Sequence, residues 1–219
     1  MDNELSKFAK PSVTVDTVIF SIKGNDLKVL LAKRLASPFK DKWAIPGGFV
    51  KIDQSLEDAA KFMLEEKTGV KDVYLEQLYT FGNPGRDPRG RVITISYFAL
   101  INSSDLKLKS DDVKWFSLGE LPNLAFDHSK ILNYALKRLK WKFEYTTVAF
   151  SLLPKKFTMT QVQDLYEAVF KQKFDKRNFR KKILSLKILE EQEVMRNVSF
   201  RPPKLYSLKA NIGEIVNIL

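Results

Sequence analysis

Residues 46–70 read PGGFVKIDQSLEDAAKFMLEEKTGV, and this stretch decides how its surroundings are read. Pro46-Gly47-Gly48 breaks a short strand expected over residues 43–50. Beyond it, Leu56, Ala59, Ala60, Met63 and Leu64 recur at the spacing of one helix face, which predicts a helix over residues 55–68. Ser55 can cap its first turn and Gly69 can stop it. Upstream, residues 13–22 (VTVDTVIFSI) and 27–35 (LKVLLAKRL) are apolar and β-branched around a turn at Gly24-Asn25-Asp26, the pattern of a hairpin. Downstream, residues 73–81 and 91–101 read as strands around a polar loop. Trp115-Phe116 sits in another short strand, and residues 127–141 read as a helix. Asp127 can cap that helix, which explains its neighbour His128 as a structural residue. The aromatics Phe20, Trp43, Phe62, Trp115 and Trp141 are assigned mostly to the core.

Composition narrows the function. The chain has 219 residues, enough for one large domain or two modest ones, and is 44% hydrophobic and 29% charged, as expected of a globular protein. It has no cysteine, which excludes thiolate zinc sites and cysteine nucleophiles and fits a reducing cytoplasm. A single histidine excludes polyhistidine metal centres. The opening MDNELSKFAK carries no apolar run and no stretch is long enough to span a bilayer, so neither secretion nor a membrane is expected. The net charge is +11, and residues 151–219 hold 14 basic against 7 acidic residues. A basic C-terminal third suits a polyanionic partner, nucleic acid first, although a solvated basic face reads the same from charge alone.

That third has its own order of elements. Thr160 and Gln163 are placed as a capping box, and Val162, Leu165, Tyr166, Val169 and Phe170 follow at i, i+3, i+4, i+7 and i+8. Residues 171–174 lead into a second helix capped by Asp175, with Phe179, Ile183 and Leu186 on one face. Lys176, Arg177, Asn178, Arg180, Lys181 and Lys182 lie elsewhere on it. Residues 188–194 and 204–208 can pair as a hairpin. Helix, short turn, helix, hairpin is the order of a winged helix-turn-helix, in which the second helix enters the major groove of double-stranded DNA. Arg196, Arg201 and Lys204 would fall on the wing. We therefore expect two domains, residues 1–144 and 145–219.

The stretch at 46–70 resembles the Nudix box. The family pattern is glycine, five residues, glutamate, seven residues, arginine-glutamate, an aliphatic residue, any residue, two glutamates, any residue, glycine, then an aliphatic residue. Here Gly48, Leu64, Glu66, Gly69 and Val70 fit. Gln54, Phe62, Met63 and Lys67 replace the early glutamate, the arginine, the next glutamate and the last one. Nudix enzymes use clustered carboxylates to hold magnesium against a pyrophosphate. Magnesium needs hard oxygen ligands, which Met63 and Lys67 do not supply. The expectation is a box without catalytic residues, metal or cofactor.

The loop FGNPGRDPRGR at residues 81–91 looks like a stretch common in Nudix proteins acting on ADP-ribose and in their regulator relatives. Arginine forks suit phosphates, so Arg86, Arg89 and Arg91, with Gly47, Gly48 and Arg34, form the candidate ligand set. A charged loop ion-paired through Asp87 is the plainer account. Residues 174–181 (FDKRNFRK) also resemble the recognition-helix entry of Nudix-related transcriptional regulators. Across nearly the whole chain the resemblance is to that family. It implies an α/β/α Nudix sandwich with a C-terminal winged helix-turn-helix. It further implies a homodimeric repressor whose operator affinity responds to ADP-ribose or to a pentose such as arabinose. The rival readings are a hydrolase of ADP-ribose or a related nucleoside diphosphate using Glu65 and Glu66 as a nonstandard metal site, and an interaction protein whose basic tail binds RNA.

Overall fold

The computed structural model of the chain describes residues 4–71, 73–102, 108, 110–192 and 203–219. Strand β1 (Ser12–Ile22) is the spine. It pairs antiparallel with β2 (Leu27–Lys33), Phe20 opposite Val29, and parallel with β6 (Val92–Leu100), Val18 opposite Phe98. A strand covered on both faces reads as an unbroken apolar run, which is why VTVDTVIFSI does not alternate cleanly. Strands β3 (Trp43–Ala44), β4 (Gly47–Phe49), β5 (Tyr74–Phe81) and β7 (Val113–Ser117) complete a seven-stranded mixed sheet.

A helix covers each face. Helix α1 (Leu56–Thr68) packs Leu64 with Ile19, Leu30 and Ala99, and Ala59 and Ala60 with Val15 and Ile95. It begins and ends as the sequence predicts: Ser55 Oγ accepts from the Asp58 N–H at 3.1 Å, and Gly69 closes it at φ 74°. Helix α2 (His128–Tyr145) packs Ile131, Leu132 and Ala135 in the cluster that holds Val18, Phe20 and Phe98. The α/β/α layering is as expected. Helix α2 outruns its expected end because Leu139 and Phe143 continue its buried face. Strand β2 stops at Lys33, short of the expected Leu35, which is exposed. Two core assignments are corrected. Phe62 is 55% exposed because position 62 lies off the α1 stripe, and Trp141 is 40% exposed beneath the Lys137 ammonium.

After a 3-10 turn (Thr147–Leu152) come β8 (Phe157–Thr158), α3 (Met159–Phe170), α4 (Lys176–Ser185), β9 (Leu189–Gln192) and β10 (Leu205–Leu208). The hairpin β9–β10 forms the wing, and β8, not foreseen from the sequence, adds a third strand against β10. The capping box is also corrected. Thr158 and Gln161 form it, two residues before the expected pair, because the chain is still extended at Thr158 as it leaves β8. Gln163 instead donates to Glu167 and to the Phe174 carbonyl, bracing the turn into α4.

One apolar cluster runs through both halves. Val162, Leu165, Tyr166 and Val169 of α3 share it with Leu139 and Phe143 of α2, and each buried aliphatic side chain contributes about 1.5–3 kcal/mol. Tyr166 is fully buried and its hydroxyl donates to the Phe143 carbonyl at 3.1 Å. The C-terminal segment returns to α2, where the Ile218 N–H meets the Glu144 carbonyl at 2.7 Å. On the surface, Lys171 between α3 and α4 pairs with Asp26 of the β1–β2 turn at 3.3 Å. Partial burial would raise the Asp26 carboxyl, but hydrogen bonds from Lys28, Ser117 and Lys171 outweigh it and lower it to about 2.

Candidate functional site

A cleft of about 180 Å³ opens where β1, β4, the 81–91 loop and the start of α2 meet. Thr14 and Asp16 of β1, Gly47, Gly48 and Phe49 of β4, and Arg34, Phe126 and Arg89 line it, with the buried Arg86 beside them. Gly47 lies against β1, where a Cβ would sit 2.5 Å from the Val15 carbonyl oxygen and closer still to the Asp16 carboxylate, so no side chain fits. At Gly48 a Cβ would meet the Met63 sulfur at 3.0 Å. The two glycines thus let β4 lie flat between the cleft and α1.

The charges in the cleft are already organised. Arg86 has only 4% of its side chain exposed, and its Nη2 and Nε bond the two oxygens of Asp127 at 2.8 and 3.2 Å. Its Nη2 also lies 3.6 Å from Asp16. Asp127 stands at the N-cap of α2, as expected, but makes no side-chain cap bond; its carboxylate is spent on Arg86. His128 is buried, and its Nδ1 accepts the Ile45 N–H at 2.9 Å, which assigns the proton to Nε2, 3.9 Å from Asp16. Burial, foremost, lowers the His128 pKa, so the ring is neutral. Thr14 Oγ1 is buried without a hydrogen-bond partner beside these groups. A buried orphan hydroxyl is costly and points to a ligand or water that would satisfy it.

Of the six candidate ligand residues, Arg34, Gly47, Gly48, Arg86 and Arg89 line this cleft and Arg91 does not. Arg91 is exposed and donates to the Gly82 carbonyl, closing its own loop. Arg89 makes a fork to Asp87 at 2.7 and 3.0 Å, so the loop is ion-paired through Asp87 and also faces the cleft. Its guanidinium lies 5.3 Å from the Phe49 ring centre and 5.6 Å from that of Phe126. Arg34 donates to the carbonyls of Pro38 and Ala36 and sits 4.7 Å over Phe126. Burial, then repulsion from Arg89, lowers its pKa, so a bound anion there would relieve two like charges. Phe126 is held at φ 53°, a costly conformation for a residue with a Cβ. Thr14, Asp16, Phe49, Phe126 and His128 were not among the candidates. The signal for the first two was polar residues inside the otherwise apolar run of β1.

Around the Nudix-like helix the side chains do not converge on a metal. Gln54 accepts from the Lys51 N–H, Met63 packs against Gly48, and Glu66 bonds the Lys67 ammonium at 2.6 Å. Glu65 bonds Lys71 at 3.0 Å and lines a different recess, with Lys61 and Val73. Among the described residues no group of three carboxylates or imidazoles is arranged to hold an ion.

The winged half presents α4 outward. Asp175 caps it by accepting the Asn178 N–H at 2.8 Å, while Phe179 and Ile183 are buried. Lys176, Arg177, Asn178, Arg180, Lys181 and Lys182 are all exposed. Arg180 reaches the Tyr206 hydroxyl at 3.4 Å, tying α4 to the wing, and Lys204 pairs with Glu191 across it. Thr160, Arg180 and Lys204 surround a recess of about 320 Å³ at this junction. Arg196 and Arg201 lie outside the described residues.

The model of the NUDIX domain matches residues 10–135, and that of the NrtR DNA-binding winged helix domain matches residues 149–208. The "ADPR responsive transcriptional repressor NtrR" of Acinetobacter baylyi is 39% identical over 208 residues, 92% of this chain and 83% of that protein. The ADP-ribose pyrophosphatase of Methanocaldococcus jannaschii is 37% identical over 137 residues, 62% of this chain and 77% of that one. The structure of Shewanella oneidensis NrtR complexed with a 27mer DNA is 36% identical and superposes with a TM-score of 0.81 over 90% of this chain and 93% of that chain. The NUDIX domain of the same protein complexed with ADP ribose is 39% identical and superposes with a TM-score of 0.56 over 63% of this chain and 94% of that chain. Both domains match in order, and a repressor of this type aligns along most of the chain, so the chain belongs to the NrtR family of Nudix-related transcriptional regulators.

Proposed function

We propose that this protein is a transcriptional repressor that binds a double-stranded DNA operator as a cytoplasmic homodimer and responds to ADP-ribose. The observation that carries the reading is the joining, in one chain, of a Nudix-type cleft and an outward-facing basic helix on a winged fold. We place the boundary between sensor and reader at residues 144/145. In the sensor, Arg34 and Arg89 meet the diphosphate and Gly47 and Gly48 let it approach the backbone. The Thr14 hydroxyl takes a ligand oxygen, and Arg86 supports the site from behind. In the reader, Arg177 and Asn178, in the first turn of α4, face base edges. Lys176, Arg180, Lys181 and Lys182 face phosphates, and Arg196, Arg201 and Lys204 serve the wing.

A hydrolase remains the second reading, favoured by the similarity to an ADP-ribose pyrophosphatase over the Nudix half. Against it, Glu66 is bound to Lys67, and Glu65 points to a separate recess. The deciding experiment is a gel shift with the upstream DNA of the protein's own operon, with ADP-ribose or pentoses added. A specific shift that ADP-ribose changes supports the sensor. A shift changed only by a pentose replaces the effector. No specific shift, together with magnesium-dependent ADP-ribose turnover abolished by Glu66→Gln, supports the enzyme.

A further inference from the structure

Three polar side chains that line the cleft leave hydrogen bonds unmade. Thr14 and Asp16 stand at i and i+2 of β1, so they share one face of the strand. His128 joins them from the start of α2. Thr14 Oγ1 is buried without a partner. The Nδ1 of His128 is taken by the Ile45 N–H at 2.9 Å, which leaves Nε2 as the ring's donor. That Nε2 stands 3.9 Å from Asp16 Oδ1, and Asp16 Oδ2 stands 3.6 Å from Arg86 Nη2, both too long for a hydrogen bond. Gly47 keeps the space beside the carboxylate open, since a Cβ there would collide with Asp16 Oδ1.

We infer that Thr14, Asp16 and His128 form a sugar-hydroxyl subsite that takes the terminal ribose of the ligand. This rests on the reading of the cleft as an ADP-ribose sensor and adds which part of the ligand these residues select. A hydroxyl both accepts and donates, so one oxygen in the 3.9 Å gap can accept from the His128 Nε2–H and donate to Asp16 Oδ1. An ionised phosphate oxygen has no proton to give and would face the Asp16 charge. An ammonium has no lone pair for the His128 N–H. A base edge supplies one donor–acceptor pair and leaves Thr14 unmet, whereas adjacent sugar hydroxyls serve all three residues. Asp16 and His128 are 6% and 5% exposed, so a ligand reaches them with an end group rather than its middle. Of the two ends of ADP-ribose, the terminal ribose is the one that carries hydroxyls. Arg34 and Arg89 then remain for the diphosphate attached to it.

The test is calorimetric titration of the full chain with ADP-ribose and with ADP, which lacks the terminal ribose. The wild type is expected to bind ADP-ribose tighter by about tenfold or more, because a site built to pair hydroxyls rejects the analogue without them. Thr14→Val keeps the shape and removes a hydroxyl that is unpaired in the free protein, so the fold should stay stable. It should weaken ADP-ribose by about three- to tenfold and ADP by less than about twofold. Asp16→Asn and His128→Gln should narrow the same ratio, with circular dichroism checking that each is folded. Wild-type binding of both ligands alike overturns the inference and leaves the sensor standing. Equal weakening of both ligands by the variants does the same, and assigns these residues to the shared adenosine diphosphate. No change in either ligand also overturns it, and assigns the gap to an ordered water. Absence of ADP-ribose binding by the wild type overturns both the subsite and the sensor.

Discussion

Arg86 was expected as a ligand residue and is found as the counter-ion of two acids, so its replacement separates the two roles. In Arg86→Met the stem volume is kept and the charge is lost. Asp127 loses contacts at 2.8 and 3.2 Å and Asp16 loses one at 3.6 Å, in a setting where the three side chains are 4%, 13% and 9% exposed. One such pair is worth about 4 kcal/mol at an effective dielectric near 20, and breaking a buried pair costs roughly 3–5 kcal/mol because it strands the partner. For a chain of this size each kcal/mol lowers Tm by about 2–4 °C, so a fall of roughly 6–20 °C is expected. Thermal melting at neutral pH reads the Tm, and urea unfolding followed by tryptophan fluorescence and far-ultraviolet circular dichroism reads the free energy. Adding Asp127→Asn to Arg86→Met removes one stranded charge and should return about 1–2 kcal/mol. A variant within about 1 kcal/mol of wild type that nevertheless loses ADP-ribose binding would refute the argument and make Arg86 a ligand residue after all.

Three further outcomes are expected. Gly47→Ala forces a Cβ into the Val15 carbonyl and the Asp16 carboxylate, so it should destabilise by about 1–3 kcal/mol by urea titration and weaken ligand binding more than Gly48→Ala, whose clash is with the movable tip of Met63. Arg177→Ala should cost about 1–3 kcal/mol on cognate DNA and relax specificity, whereas Lys182→Ala should weaken cognate and scrambled duplexes alike and lower the salt slope by about one, both read by fluorescence anisotropy. His128 is buried neutral with a lowered pKa, among Asp16, Asp127, Arg86 and Arg34. The unfolded chain takes up a proton near pH 6.5 that the folded chain refuses, so stability is full above that pH and declines below it. Melting curves from about pH 7 to 5 should fall for wild type and flatten for His128→Gln.

Element identity was legible in the sequence wherever periodicity and a stop signal agreed. Helix α1 had Ser55, a clean stripe and Gly69, and all three act as read. The misplaced capping box arose where two pairs competed for one role. Both Thr158/Gln161 and Thr160/Gln163 have capping-box spacing, and the choice was made by β8, a two-residue strand too short to leave a sequence pattern. The cleft was half legible. Its glycines and arginines stand in a recognisable loop and turn. Asp16 and Asp127, which fix Arg86, are 111 residues apart in sequence and meet only because β1 and the start of α2 border the same opening. Spacing rules cannot find a pair that the tertiary fold creates. Asp127 also satisfied a local explanation, the N-cap, which hid its distant partner.

The same helix that hides this pair also joins the two halves of the molecule. Helix α2 starts at His128 inside the cleft and ends at Tyr145; its 18 residues span about 27 Å. Its first turn is held by the Asp127–Arg86 fork, and its last turn offers the Phe143 carbonyl to the buried Tyr166 hydroxyl of α3. Between these ends Ile131, Leu132, Ala135 and Leu139 are buried continuously against the sheet. Close-packed interiors do not absorb small displacements smoothly. The Arg86 fork and the seat of the first helix of the helix-turn-helix thus lie at the two ends of one helix. The surface pair Asp26–Lys171 ties the same two bodies at a second point, between the β1–β2 turn and the turn that sets α4 against α3. The C-terminal segment adds a further attachment, where the Ile218 N–H meets the Glu144 carbonyl at the end of α2. Coupling between ligand and DNA requires that their relative energies differ between the free and bound states of the cleft.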